Sequence, residues 1–183
     1  MTLMTTTLAE FARDPRKHIE LVNGEIIVSP NAAPPHFLVA TNLSYIFRKH
    51  RLYANVEANL ILVDEDWAAG RKALVREPDV YVLREPSRQS FQSAANVLLV
   101  AEVVSPGTEK IDWREKMVEY AEAGIPHYWI VDFFEDESAH LYTFREKMGF
   151  YTEREHWDGD VDIRVGGVDV RFSVPDLLNW TLD

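Results

Sequence analysis

The sequence predicts a mixed α/β or α+β fold in which one central helix crosses between two buried strands. The apolar run VLLVAEVV (97–104) is typical of a strand that is buried on both faces. A helical pattern from Asp112 to Ala123, closed by Gly124, separates it from a second apolar strand, PHYWIVD. After Asp132 the apolar segments become short and alternating, with turns between them, so an antiparallel extension is expected.

The first part of the chain predicts a short helix and a hairpin. TLAE, which ends at Glu10, has the spacing of a capping box, so a helix is expected to start at Thr7 and to stop near Pro15. Two apolar runs flank Asn23 and Gly24 in HIELVNGEIIVS, and this pair favours a tight hairpin turn. NAAPP, which follows the hairpin, is expected to form a loop.

A longer helix and two strands should come next. Apolar residues recur at helical spacing from His36 to about Arg51. The residues of this stripe are Phe37, Ala40, Leu43, Ile46 and Phe47. NVEANLILV and EPDVYVL are predicted to be strands, joined by the polar stretch from Asp64 to Lys72. The antiparallel extension would comprise AHLYTFRE, GFYTEREHW, VDIRV and VDVRF, with VPDLLNW as a final helical turn.

Length, composition and charge narrow the class of protein. A chain of 183 residues predicts a single domain over 1–183, and the absence of cysteine excludes a disulfide or a thiolate zinc site. The N-terminal stretch does not resemble a secretory signal, and no apolar run approaches the ~20 residues of a membrane span, so a soluble, cytoplasmic protein without a membrane partner is expected. The net charge of −11 argues against a general nucleic-acid coat but is compatible with a nucleic-acid enzyme, whose bound cations change the local field.

Glu102 is the residue that most needs an explanation, because it stands inside an apolar strand. A buried carboxylate costs several kcal/mol unless another group pairs with it or it coordinates an ion. One interpretation is a glutamate near the strand end that pairs with an arginine. Asp79 opens another apolar strand, in REPDVYVL, where turn chemistry after Pro78 is the simpler explanation.

The central helix offers a cation to these carboxylates. On a helical wheel one face should pack on the sheet, namely Trp113, Met117, Tyr120, Ala121 and Gly124. The opposite face should meet water, namely Arg114, Glu115, Glu119 and Glu122. Lys116 falls at the border, where it can bury its stem and extend its amine along the sheet. Asp112 and Lys116 can also form a simple surface pair at i,i+4 spacing.

Two carboxylates at adjacent strand ends and a nearby lysine can carry out metal-assisted hydrolysis. Oxygen ligands hold Mg²⁺ and leave water in its remaining positions. The ion lowers the pKa of that water, and a lysine stabilises charge that develops on a phosphate. This set of groups is suited to phosphodiester cleavage. A serine hydrolase is not indicated, because no Gly-x-Ser-x-Gly elbow surrounds Ser105.

The order Pro78-Asp79, then Glu102-Val103-Val104 on an apolar strand, resembles the PD-(D/E)xK nuclease superfamily. The chain is more closely similar to the Uma-two family of restriction endonucleases. The similar stretches cover nearly the whole chain: IELVNGEIIVSP, REPDVYVL, AEVVSPGTEKIDWREKMVEYAEAGIPHYWIVD and the final meander with VPDLLNW.

This resemblance implies a restriction-endonuclease-like mixed β-sheet and a Mg²⁺- or Mn²⁺-dependent endonuclease that acts on DNA. Asp79 and Glu102 would be the metal ligands. The superfamily lysine is expected two residues after the glutamate, where this chain has Val104, and in this family the lysine lies on the following helix, at Lys116. Glu20 resembles an additional acid from the first hairpin, a role for which Glu25 competes.

Several alternatives stay open at this stage. A catalytically inactive relative could bind nucleic acid or a protein partner, and a nuclease subunit could need a separate DNA-recognition protein. A homodimer is a further expectation, since a duplex has two strands to cut. Among single residues, His36 at a helix start could reach a cleft, but a capping or surface role is the favoured interpretation. Tyr120 is interpreted as a core residue that can bond a carboxylate, and Asp132 as a turn residue. His127 to Trp129 is interpreted as core and interface.

Overall fold

Thirteen strands and three α-helices make up the computed structural model, which describes residues 5–29, 33–66, 68–105, 107, 109–133 and 138–181. In chain order they are α1 (Leu8–Phe11), β1 (Ile19–Val22), β2 (Glu25–Val28), α2 (Pro34–Lys49), β3 (Tyr53–Val56), β4 (Leu60–Val63), β5 (Leu74–Arg76), β6 (Val80–Leu83), β7 (Gln92–Ser93), β8 (Val97–Val103), α3 (Lys116–Glu122), β9 (His127–Asp132), β10 (His140–Lys147), β11 (Phe150–Trp157), β12 (Asp160–Val165) and β13 (Val168–Ser173). Short 3₁₀ turns span Ala94–Asn96 and Val174–Leu178, and a π-helical turn spans Ile111–Glu115.

A six-stranded mixed sheet is the centre of the fold. Its strand order is β11-β10-β9-β8-β6-β3, and β8 and β9 are its parallel pair. The π-helical turn and α3 connect these two strands, which confirms the predicted crossover. All seven residues of β8 are buried, as the apolar run predicts. The mixed α+β class is therefore as predicted.

A second sheet of five strands, in the order β2-β1-β5-β4-β7, lies beside the first. The β1–β2 hairpin turns at Asn23 and Gly24, both with positive φ (54° and 81°), as a tight turn of this kind requires. The capping box of α1 is also present, with Thr7 and Glu10 bonded reciprocally. The predicted loop NAAPP lies partly outside the described residues, and Pro34 and Pro35 already belong to α2.

The predicted strand NVEANLILV is two strands in two different sheets. β3 pairs with β6 in the six-stranded sheet, whereas β4 pairs with β5 in the other. Glu57 has a φ of 45° between them, so the chain turns where alternation of side chains suggests continuity. The apolar stripe of α2 also differs from the prediction, because Phe37 is 41% exposed and His36 is buried.

Two apolar cores pack on opposite faces of the six-stranded sheet. On one face lie α2, the β12–β13 hairpin and the last 3₁₀ turn, around Leu43, Trp129 and Val170. On the other face lies α3, whose Tyr120 packs with Val100 and Tyr128. Within the described residues, no helix is both long and apolar enough to cross a membrane.

Candidate active site

A cleft of about 390 Å³ opens where β6 begins and β8 ends. The β1–β2 hairpin, the start of α2 and the π-helical turn form its other walls. Its lining includes Glu20, His36, Glu77, Asp79, Glu102, Asp112 and Lys116. The residues singled out in the sequence for metal-assisted hydrolysis therefore share one cavity, except Glu25, which is exposed and is not among the residues that line it.

Asp79 and Glu102 lie on the same face of the six-stranded sheet. Val80 pairs with Ala101 in the antiparallel β6–β8 ladder, so Asp79 falls opposite Glu102 one step further along. The backbone N–H of Val103 donates to Asp79 Oδ2 at 2.7 Å, which fixes the aspartate against the end of β8. Strand register thus brings together two carboxylates that are 23 residues apart in the chain.

Glu102 is held by two groups of the crossover segment rather than by an arginine. Its side chain is almost fully buried, at 2% exposure. Tyr120 donates its hydroxyl to Oε1 at 2.6 Å, and the Lys116 ammonium lies 3.1 Å from Oε2. Burial raises the pKa of Glu102 well above its ordinary value, and the Lys116 charge only partly offsets this effect.

Lys116 is the cation of an ion cluster with two direct carboxylate partners. Its Nζ lies 3.1 Å from Glu102 Oε2 and 3.0 Å from Asp112 Oδ1. Asp112 and Lys116 are not a surface pair, because their side chains are only 3% and 12% exposed. Burial alone would lower the pKa of Lys116, but the charges of Glu102, Asp112, Glu20 and Asp79 outweigh burial and raise it. We call Lys116, Glu102 and Asp112 the Lys116 cluster.

His36 is a cleft residue whose role the sequence did not reveal. It is 6% exposed, and its Nε2 lies 3.1 Å from Asp79 Oδ2, so the interpretation as a capping or surface residue is wrong. Burial lowers the pKa of His36, but the Asp79 carboxylate outweighs this and raises it overall. Asp79 shows the reciprocal balance: burial raises its pKa, whereas His36, Lys116 and the Val103 N–H together bring it below its ordinary value.

Glu20 lines the cleft but has a buried partner of its own. Arg76 Nη1 lies 2.7 Å from Glu20 Oε2, and the N–H of Glu77 donates to Glu20 Oε1 at 3.1 Å. The same guanidinium binds Glu119 with two hydrogen bonds of 2.7 and 2.8 Å, so Glu119 does not face water as the helical wheel suggested. We call Arg76, Glu20 and Glu119 the Arg76 cluster.

The chemistry of the donor set suits a hard divalent cation. Mg²⁺ is commonly held by one or two carboxylates together with waters and substrate phosphates. Among the described residues, no group of three or more His, Asp and Glu side chains is arranged to hold a metal. Asp79 and Glu102, which converge at this edge of the sheet, are oxygen donors of the kind that such an ion prefers.

The remaining candidates fall where their sequence context suggests. Tyr120 is a core residue that bonds a carboxylate, and Asp132 ends β9. Tyr128 and Trp129 are fully buried, which makes a base-stacking role for them impossible in this fold. Ser105 lines the cleft.

The mixed sheet thus places a carboxylate at the start of one strand, a second near the end of its neighbour and a lysine of the crossover helix in one cleft. The chain belongs to the Uma2 family, described as "Putative restriction endonuclease", whose model matches residues 6–170. The fold is also similar to the crystal structure of a "putative nuclease belonging to DUF820" from Anabaena variabilis, with a TM-score of 0.70, 19% identity, and coverage of 95% of this chain and 98% of that one. No curated protein matches the chain.

Proposed function

We propose that this protein is a divalent-metal-dependent endonuclease that hydrolyses phosphodiester bonds in DNA. The observation that carries the proposal is the convergence of Asp79, Glu102 and Lys116 in one cleft, with the ammonium 3.1 Å from Glu102. Val104 occupies the position two residues after the glutamate, and the cation comes instead from the next helix. Membership of a family described as restriction endonucleases supports a nuclease activity for this chain.

Each residue has a separate role in the proposed reaction. Asp79 and Glu102 would hold Mg²⁺ or Mn²⁺, which would supply Lewis acidity toward water and the scissile phosphate. Lys116 would stabilise the negative charge that grows on the phosphate oxygens as the water oxygen bonds to phosphorus and the P–O bond to the leaving oxygen breaks. Tyr120 would orient Glu102, and His36 and the Val103 N–H would orient Asp79.

Glu20 is better suited to support than to metal binding. Its partner Arg76 is a permanent cation whose planar guanidinium holds Glu20 and Glu119 in a fixed geometry, which suits a structural role. Glu20 would place Glu77 and Arg76 at the wall of the cleft and add negative potential near Lys116. We therefore assign Glu20 the role of positioning Arg76 and Glu77, in place of the catalytic role that the family resemblance suggests.

The decisive experiment is nicking of supercoiled plasmid with Mg²⁺ or Mn²⁺, with and without EDTA. The parent should nick only with metal, and Glu102→Gln should abolish both cleavage and metal binding. Glu102→Gln should melt at the same temperature as the metal-free parent or higher, because burial makes the ionised carboxylate unfavourable. Glu122→Gln, on the exposed side of α3, is the matched control.

Two results would contradict the proposal. Cleavage without a divalent metal would show that the reaction does not need Asp79 and Glu102 as metal ligands. A folded parent that binds DNA but never cleaves it would favour the second candidate, a catalytically inactive nuclease fold that binds nucleic acid or protein. That candidate is favoured by one observation: Lys116 and Tyr120 already occupy both carboxylate oxygens of Glu102.

A further inference from the structure

Four planar side chains form a continuous stack on the outer hairpin of the six-stranded sheet. The guanidinium of Arg154 lies 4.9 Å from the centre of the Tyr142 ring. Tyr142 stacks on His156 with centres 4.7 Å apart and planes at 18°, and His156 stacks on His140 at 5.3 Å and 30°. The two imidazoles also share a hydrogen bond of 3.2 Å. We call Arg154, Tyr142, His156 and His140 the planar stack.

The planar stack lies in line with the candidate active site across the sheet. Glu102 pairs with Ile130, Ile130 with Tyr142, and Tyr142 with His156. Residues that pair directly point to the same face of a sheet, so Glu102, Tyr142 and His156 share one face. Three strand spacings separate Glu102 from His156, which is about 14 Å.

The π-helical turn connects the two places physically. Asp112 contacts Lys116 in the cleft, and the next residue, Trp113, packs edge-on against Tyr142 at 4.8 Å. Arg154 also lies over the Trp113 ring, at 5.4 Å. Consecutive residues of one turn therefore contact the candidate active site and the planar stack.

The exposure of the planar stack indicates more than a structural role. Aromatic pairs across strands stabilise hairpins by ordinary packing, and Tyr142 contributes to this. Arg154 and His156, in contrast, are exposed, and they present a planar guanidinium, an imidazole and a positive charge at the surface. Nucleobases stack on such groups without sequence preference, and the guanidinium adds attraction to the bases and to the phosphate backbone.

We propose that the planar stack binds unpaired nucleobases that flank the phosphate in the cleft, so that the substrate is single-stranded or locally opened DNA. The assignment of a substrate strand to this surface rests on the proposed nuclease function. The binding itself can be tested without catalysis.

The test is fluorescence anisotropy of fluorescein-labelled oligothymidylate with EDTA present. The parent should bind this single strand at least about five-fold more tightly than a duplex of equal length, because paired bases cannot extend the stack. Arg154→Lys and His156→Ala should each weaken single-strand binding by about five-fold or more, as expected for the loss of one stacking contact. Arg164→Lys, an exposed arginine on β12, is the control and should bind like the parent.

Arg154→Lys separates stacking from charge, because it retains the cation and loses the plane. Parent-like binding by Arg154→Lys and His156→Ala, or equal affinity for single strand and duplex, would overturn the planar stack as a base-binding site. Absence of binding to oligothymidylate would also overturn it. A further outcome is that the parent binds oligothymidylate, that Arg154→Lys and His156→Ala weaken this binding, and that the parent cleaves neither oligothymidylate nor plasmid in Mn²⁺. This outcome would support the base-binding site and refute the proposed nuclease function.

Discussion

The Lys116 cluster and the Arg76 cluster border the same cleft, and each sets one cation against two carboxylates, but they differ in how the cation is bonded and in what lies beside it. In the Arg76 cluster, the guanidinium bonds both carboxylates with donor–acceptor distances of 2.7 to 2.8 Å. In the Lys116 cluster, one ammonium faces two carboxylates, and Asp79 adds a third negative charge nearby. The planar guanidinium thus fixes its two carboxylates as a structural ion cluster, whereas the Lys116 cluster lies beside a third carboxylate, where a divalent cation would offset negative charge.

The largest expected effect is a loss of protein stability when the Arg76 cluster is disrupted. Arg76→Met would leave Glu20 and Glu119 without their partner, and removing one member of a buried ion pair costs about 3–5 kcal/mol. Chemical denaturation should show this loss in the free energy of unfolding. Arg71→Met, at an exposed pair with Asp66, should change it by less than about 1 kcal/mol. A parent-like unfolding midpoint for Arg76→Met would show that the Arg76 cluster is not structural.

The next effect tests the cation of the Lys116 cluster, in a variant whose folded state is first established by its melting curve. Lys116→Met should reduce cleavage by about 10²–10³-fold, because the charge that stabilises the transition state is missing. Metal binding, measured by calorimetry, should persist because both carboxylates remain. Lys110→Met, on an exposed residue before the π-helical turn, should cleave like the parent. Equal cleavage by Lys116→Met would rule out the lysine displaced onto the helix as the catalytic cation.

A smaller effect is expected at the support of Asp79. His36→Ala should weaken metal affinity or activity by about 10–100-fold, the usual range for residues that orient a ligand. His36→Gln, which keeps an N–H donor, should recover part of the loss. Calorimetric titration with Mn²⁺ and melting in its absence will distinguish orientation from folding. Unchanged metal affinity in His36→Ala would mean that the Val103 N–H alone orients Asp79.

The smallest effect is a pH dependence at the rim of the cleft. Burial raises the pKa of Glu77 from 4.5 to about 7, with His18 opposing and Glu57 adding to the shift. Because the folded state holds the proton more tightly than the unfolded chain, Glu77 lowers stability progressively as pH rises from about 4.5 to 7. Glu77→Gln should therefore melt slightly higher than the parent at pH 8 and equally at pH 4.

A control variant and a contradicting outcome test whether the raised pKa of Glu77 causes this pH effect. Glu25→Gln, on the exposed strand β2, should show no such difference between the two pH values. A Glu77→Gln variant whose advantage is the same at both pH values would refute the raised pKa as its cause.

Local patterns in the sequence were sufficient for most of the fold and for part of the candidate site. The run in β8, the Asn23-Gly24 turn and the helical wheel that places Lys116 at a buried border all depend on near neighbours in the chain. The break at Glu57 was not predictable in this way, because a positive φ at a glutamate depends on tertiary packing. The partners of Arg76 come from β1 and α3, and no local pattern connects those segments.

The spacing of the apolar residues in α2 contains a signal that His36 is buried. His36 stands three and four positions before Val39 and Ala40, both of which are buried, so it belongs to the apolar stripe of α2. A histidine in such a stripe needs a polar partner, which Asp79 provides across the cleft. Phe37 is the one predicted stripe residue that is exposed, whereas Ala40, Leu43, Ile46 and Phe47 are buried as predicted.

Because Lys116 lies on a helix, and not on the strand of Glu102, the charges of the candidate site depend on the docking of a separate segment. A lysine at position 104 would be in place as soon as β8 forms. Lys116 and Tyr120 reach Glu102 across 14 and 18 residues, after the crossover segment has docked on the sheet. The complete set of charges is therefore present only when β6 has paired with β8 and the crossover segment has docked on the sheet.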